Sequence, residues 1–214
     1  MFAHQVAGAT ELWFTEAGDG DLTDPAVVAQ LRKGLNVDAI ATMRQVHGAD
    51  VAWAMPGLVP EADALLTYTP DLAVLVRVAD CLPIVLTTEE RDTTGVVHAG
   101  RKGLVAGVVP AAAQILLERG RGPVTAWIGP HICGRCYELD VATAGEIAAA
   151  VPAAASTTRA GTPAADIGAG ATAQLEELGV TVHHVGGCTL EDERFFSYRR
   201  DGTAQRQGAL VVLR

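Results

Sequence analysis

The chain has 214 residues, a mass of 22.2 kDa and 49% hydrophobic residues. At that size roughly 70% of the unfolded surface can be buried, which excludes global disorder. With 25 acidic against 16 basic residues, a net charge of -9 and a pI near 5.0, there is no electrostatic footprint for a phosphate backbone, and nucleic acid is not an expected partner.

In chain order, a strand is expected at Leu12–Phe14, a helix at Pro25–Lys33, and then strands at Ile40–Val46, Val51–Met55, Leu72–Val78, Ile84–Thr88 and Gly95–His98. A second helix spans Leu104–Arg119, with Pro110 either kinking it or lying in the first turn after a break. Then come a strand at Val124–Ile128, helices at Thr143–Ala150 and Ala165–Leu178, and strands at Val180–Val185 and Ala209–Leu213. The small-residue stretch Val151–Ala173 reads as a mobile loop or the approach to a helix, and it does not divide two cores. LAVLVRV and GALVVL are nearly continuous apolar runs, as expected of strands covered on both faces. The expectation is a layered α/β sandwich.

No stretch predicts a membrane span. The longest apolar segment, Leu104–Leu117, contains Pro110 and Gln114 and is shorter than the roughly 20 residues a bilayer requires. The first twelve residues lack a secretory pattern, so a soluble cytoplasmic protein is expected. The four cysteines are too few for a disulfide scaffold and read as core, metal or catalytic thiols.

Reactive side chains stand beside glycine or proline at the ends of apolar runs in Gln45–Gly48, Ala79–Pro83 and Val97–Gly100. His47, Cys81 and His98 together would make a borderline-soft ligand set suited to zinc or copper, with one coordination position open. Their separations of 34 and 17 residues form no local motif, so composition does not show convergence. Gly100 and Gly103 in VVHAGRKGL would let backbone amides approach an anion at a helix start, with Arg101 and Lys102 adding charge. SYRRDGTAQRQ adds Arg199, Arg200 and Arg206, whose guanidinium forks suit phosphate. Asp80 is a candidate for orientation or proton transfer, against a plain turn or capping role.

The CGRC pair, Cys133 and Cys136, has the spacing of a redox motif or half a zinc site, and no second CxxC completes it. Both are read as structural, with Cys133 a candidate surface thiol, and Cys188 as core. His183 and His184 should point to opposite faces of a strand and so not chelate one ion.

The runs QVHGADV, EADALLT, VRVADCLPIVL, VVHAGRKG, WIGPHICGRCYEL and DERFFSYRRDGTAQRQGALVVL resemble the YfiH or laccase-domain family, also described as polyphenol-oxidase-like or peptidoglycan-editing-factor-like. The resemblance runs from about Ile40 to the C-terminus. It implies one domain over residues 1–214, a four-layer α/β/β/α sandwich with mixed sheets, and residues 1–39 as a divergent, shortened part. It further implies a zinc site at His47, Cys81 and His98, with copper as the alternative, and phosphorolysis of adenosine, inosine and methylthioadenosine, with adenosine deamination beside it. Nucleoside and phosphate are then the expected partners. This sequence departs from the family in Phe14-Thr15-Glu16-Ala17-Gly18, which lacks an arginine, in AGRKG for AGWRG, and in Ala204-Gln205-Arg206-Gln207 for TGRQ. Rival readings are a Cys81/His hydrolase editing peptidoglycan precursors, a copper-dependent phenol oxidase, and a metal-stabilised binding protein without turnover. Six histidines are few for a multicopper centre.

Overall fold

Period-two alternation inside the apolar runs explains the architecture, because successive side chains of one strand face different cores. The computed structural model describes residues 1–7, 10–90 and 92–214. The elements are β1 (Ala3–Ala7), β2 (Thr10–Phe14), α1 (Pro25–Gly34), β3 (Ala39–Ala41), β4 (Val51–Trp53), β5 (Ala64–Thr67), β6 (Leu72–Val78), β7 (Leu82–Thr88) and β8 (Thr94–Ala99). They continue with α2 (Arg101–Ala106), α3 (Val108–Arg119), β9 (Val124–Ile128), α4 (Val141–Ala150), β10 (Ala155–Thr157), β11 (Pro163–Ala165), α5 (Ile167–Glu177), β12 (Thr181–His184), α6 (Tyr198–Asp201) and β13 (Gln207–Leu213).

A five-stranded sheet has the order β1-β2-β13-β6-β3, and a six-stranded sheet has the order β12-β9-β7-β8-β5-β4. Both are mixed: β3–β6, β4–β5 and β9–β12 are parallel pairs, while β6–β13 and β7–β8 are antiparallel. In β6, Leu72, Val74, Val76 and Val78 enter a core shared with Val85 and Val96 of the other sheet. The alternate Ala73 and Leu75 pack with Val27, Val28 and Leu31 of α1. On the far face of the six-stranded sheet, Ile84, Leu86 and Val97 meet Leu104, Val109, Leu116, Ile147 and Leu175 from the helices. The result is four layers, α/β/β/α, with two sheets face to face. Among the described residues no helix is long and apolar enough to cross a membrane.

Several expected boundaries move for local reasons. The expected strand Ile40–Val46 stops at Ala41, and residues 46–48 turn instead toward the Asp63 carboxylate. The single helix Leu104–Arg119 is two, broken at Gly107 with φ +87°, so Pro110 lies in the first turn after the break, where its missing amide costs nothing. Val151–Ala173 is not a mobile loop. It holds a short 3-10 turn, the β10–β11 hairpin and the first half of α5, whose start is capped by Asp166 accepting from the Ala169 amide at 2.8 Å. β1, β5, β10, β11 and α6 escaped the sequence reading because they are short and lack clear alternation. The divergent N-terminal segment is integral to the fold, since β2 lies between β1 and β13 and contributes Leu12 and Phe14 to the inter-sheet core.

Gly208 of β13 is a tight approach: an added Cβ would overlap the Val76 carbonyl oxygen, and its amide donates to Thr15 Oγ1 at 2.9 Å. Gly208→Ala should therefore lower stability by about 3 kcal/mol or more by overpacking. Gly145→Ala, at an exposed position in α4 with nothing within 4 Å, should raise it by about 0.5–1 kcal/mol. Denaturant midpoints of the two variants check both signs.

Candidate functional site

Asp63 sets the geometry. It is fully buried, and a buried carboxylate is tolerated only when its lone pairs are satisfied. Its oxygens accept from the amides of Val46 at 3.2 Å, His47 at 3.0 Å and Gly48 at 2.7 Å, and Oδ1 lies 2.8 Å from His98 Nδ1. Burial raises the Asp63 pKa, but the His98 and Gly48 hydrogen bonds outweigh it and hold the carboxyl below its ordinary value. One side chain thus folds the 46–48 turn and fixes the imidazole at the end of β8, leaving His98 Nε2 to face Cys81.

The His47 turn has φ +62° and Asp80 has φ +87°, two non-glycine residues in the left-handed region flanking the donor set. Cys81 Sγ lies 3.7 Å from His47 Nε2, and the rings of His47 and His98 meet edge-on at 4.7 Å. Ligand atoms of His47, Cys81 and His98 all fall within 4.8 Å of one another. Residue spacing carries no sign of this convergence; strand pairing produces it, because β7 and β8 are adjacent and Leu82 stands opposite Ala99. Gly100 and Gly103 also acquire a different reason from the expected anion contact. A Cβ on Gly100 would sit 2.7 Å from the His47 ring, and one on Gly103 would sit 2.9 Å from the Gly48 carbonyl oxygen, so both permit close approach of the His47 turn.

Electrostatics in this cluster favour a charged pair. Burial pushes the Cys81 thiol up, but the His47 and His98 imidazoles outweigh it and bring it down to about 6. Burial pushes His98 down, while Asp63 and Cys81 outweigh that and raise it to about 9. Two imidazoles and a thiol, one imidazole held by a buried carboxylate, match the donor chemistry and supporting shell of a three-residue metal site.

The donors open onto a cavity of about 740 Å³ lined also by Arg44, Gln45, Arg77, Asp80, Arg101, Lys102, Tyr137, Tyr198, Arg199 and Arg206. Among the described residues, ion pairs engage Arg44 and Arg200 but not Arg77, Arg101, Lys102, Arg199 or Arg206. Arg199 lies over the Tyr137 ring at 5.2 Å and donates to the Glu138 carbonyl oxygen. Arg206 donates to the carbonyl oxygens of Thr203 and Gln205. Arg200 does not line the cavity: its guanidinium is spent on the carbonyl oxygens of Thr189 and Phe195 and on Asp201, so it braces the loop before α6. Asp80 is likewise occupied, accepting from Thr189 Oγ1 at 2.6 Å and from the Arg199 amide at 2.7 Å.

Three residues were absent from the sequence reading. Asp63 sits unremarked in EADALLT. Arg77 is the one charge in the apolar run LAVLVRV, which was the available signal. Tyr137 follows Cys136 and is half-buried, with burial pushing its phenol up. His183 and His184 do diverge, toward Trp127 and Thr172 respectively. Among the described residues, His4, His131, His183 and His184 enter no three-donor group.

Residues 19–214 match the family model described as multi-copper polyphenol oxidoreductase laccase. The chain is 44% identical over 204 residues to a purine nucleoside phosphorylase of Streptomyces griseus, covering 89% of this chain and 83% of that protein. It is 45% identical over 204 residues to a purine nucleoside phosphorylase of Streptomyces coelicolor, covering 89% and 84%. Its fold matches the crystal structures of a Neisseria meningitidis DUF152 protein (TM-score 0.83, 24% identity, 98% and 97% coverage) and of Bacillus licheniformis YfiH (TM-score 0.83, 21% identity, 96% and 93% coverage).

In chelator-treated protein, iodoacetamide modification of Cys81, followed by peptide mass spectrometry, should stay fast down to pH about 6. His47→Ala removes the strongest of the groups lowering the thiol, so the profile should move up toward the ordinary cysteine value of about 8.5.

Proposed function

The chain belongs to the multi-copper polyphenol oxidoreductase laccase family, and from that membership and the geometry of its cavity we propose that it cleaves purine nucleosides with inorganic phosphate. The products are the free base and a pentose 1-phosphate, and adenosine, inosine and methylthioadenosine are the proposed substrates. The observation that carries this reading is the meeting, in one cavity of about 740 Å³, of the His47/Cys81/His98 donors and five cations that, among the described residues, enter no ion pair. That volume lies within the roughly 300–1,000 Å³ of small-molecule sites.

Arg77, Arg101, Lys102, Arg199 and Arg206 bind and orient phosphate; guanidinium forks fix its direction as well as its charge. Arg77 supplies a cavity guanidinium from β6, where the N-terminal segment supplies none. With phosphate placed against the anomeric carbon, an oxygen–carbon bond forms there as the bond to the purine nitrogen breaks, and the electron pair leaves with the base. Tyr137 keeps its phenolic proton and can donate it as a hydrogen bond within the cavity. Asp80 positions Arg199 by holding its amide, which makes it an orienting residue rather than a proton carrier. His47, Cys81 and His98 would hold zinc, with copper the alternative for the same donors; a bound ion there supplies Lewis acidity, the chemistry that adenosine deamination in the same cavity requires. Two histidines and one thiol make a site for one ion, too few donors for a multicopper cluster.

A second reading is favoured by one observation, the lowered Cys81 thiol beside the raised His98, which is the pairing of a cysteine hydrolase. The four free thiols fit a reducing compartment, and we place the protein in the cytoplasm.

Adenosine incubated with and without phosphate, with adenine, inosine and hypoxanthine resolved by chromatography, should give phosphate-dependent adenine. Product independent of phosphate, or none, overturns phosphorolysis. Arg101→Ala should lower kcat/KM by about 100-fold, with Arg101→Lys recovering part of the loss. Asp63→Asn should weaken metal affinity by about 10–100-fold in a competitive chelator titration.

A further inference from the structure

The CGRC motif finds its missing half in three dimensions. The Cys136 amide donates to the Cys133 carbonyl oxygen at 2.9 Å and the Tyr137 amide to the same oxygen at 3.0 Å, closing a tight turn. From the loop after β12, Cys188-Thr189-Leu190-Glu191 forms a turn of the same kind: the Glu191 amide donates to the Cys188 carbonyl oxygen at 3.2 Å and the Asp192 amide at 3.0 Å. The second half is therefore a C-x-x-E rather than a second CxxC. The two turns are laced together. The His131 amide donates to Gly187 O at 3.3 Å, the Thr189 amide to His131 O at 3.1 Å, and the Cys133 amide to Cys188 Sγ at 3.5 Å.

Three thiol sulfurs and one Glu191 carboxylate oxygen lie within 4.8 Å of one another. Tetrahedral zinc with bonds near 2.3 Å to sulfur needs donors roughly 3.5–3.8 Å apart, so small rotations about side-chain bonds close the set. We propose that Cys133, Cys136, Cys188 and Glu191 form a structural zinc site, separate from the His47/Cys81/His98 donors, that clamps the loop before α4 to the loop before α6.

The surroundings fit the charge. Three thiolates and a carboxylate around a divalent ion leave two negative charges. Arg159 from the β10–β11 hairpin pairs with Glu191 and donates to Cys136 Sγ at 3.4 Å, and Arg135 adds positive charge beside Glu191. Without a cation Cys133 and Cys136 resist ionisation, burial and neighbouring thiols pushing Cys133 up and Cys136 up to about 12; coordination reverses that. Four protein donors leave no open position, the pattern of a structural rather than a catalytic ion. Its consequence reaches the cavity through Thr189, next in sequence to Cys188, which holds Asp80, which in turn holds the Arg199 amide. Cys188 thus serves as a donor in a cluster, not as the core residue expected from sequence.

Zinc per chain, measured by plasma mass spectrometry after dialysis of the full chain against metal-free buffer, tests this. Cys133→Ser/Cys136→Ser should lose one zinc equivalent relative to wild type, whether or not Cys81→Ala loses another, so the two sites succeed or fail independently. As a check that does not depend on folding of the double variant, the Cys81→Ala protein reconstituted with cobalt(II) should show the intense charge-transfer absorption of several thiolates. Zinc content unchanged in the double variant, copper in place of zinc, a disulfide among these three cysteines in thiol titration of the freshly purified protein, or no thiolate charge transfer in Cys81→Ala each overturns the assignment.

Discussion

A buried Asp63 carboxylate must find hydrogen-bond donors for its oxygens, and nearly everything at the candidate site follows from how it does so. Two of its partners are the amides of His47 and Gly48 and a third is the His98 ring, so a single charge joins a loop after β3 to the end of β8. The left-handed backbone at His47 persists because three successive amides are committed to that carboxylate. Gly100 and Gly103 then make room for the turn to close against β8 and α2. Remove the charge and the imidazoles lose both their spacing and the partner that selects which ring nitrogen is free.

The layered fold places this cluster at one end of the core between the sheets, where Met43 and Cys81 mark its edge. Strands β6 and β7 are joined by the two residues Asp80 and Cys81 together with Ala79, so the chain crosses from one sheet to the other beside the site. A crossover of that kind brings the cations of one sheet, Arg77 from β6 and Arg206 just before β13, toward the donors of the other. An acidic chain with a net charge of -9 can therefore hold a cationic cavity. The sum of charges describes the outer surface and says little about a concave site where arginines from distant segments converge.

The loop before α6 shows how support propagates. Arg200 braces carbonyl oxygens of Thr189 and Phe195, Thr189 satisfies Asp80, and Asp80 holds the Arg199 amide. Residues that looked equivalent in SYRRDGTAQRQ thus divide into those facing the cavity and one that builds its wall. The same loop carries Cys188, and the turns around Cys133 and Cys188 tie it to the segment bearing Tyr137.

Sequence by itself determined the strands with long apolar runs, the two-sided burial of LAVLVRV and GALVVL, and the presence of His47, Cys81 and His98 beside glycine or proline, although His47 lies in a turn well after β3 rather than at a strand end. Those are properties of local pattern, period two for a strand and glycine beside a reactive side chain, and pattern survives without knowledge of the partner strand. Short elements such as β5 and α6 were invisible because four residues carry no period. What only the tertiary structure decided was convergence: which donors meet, which arginine faces inward, and that a C-x-x-E completes CGRC across 51 intervening residues. Hydrogen bonds and ligand geometry act over a few ångströms, and the chain brings those atoms together only after its sheets have paired.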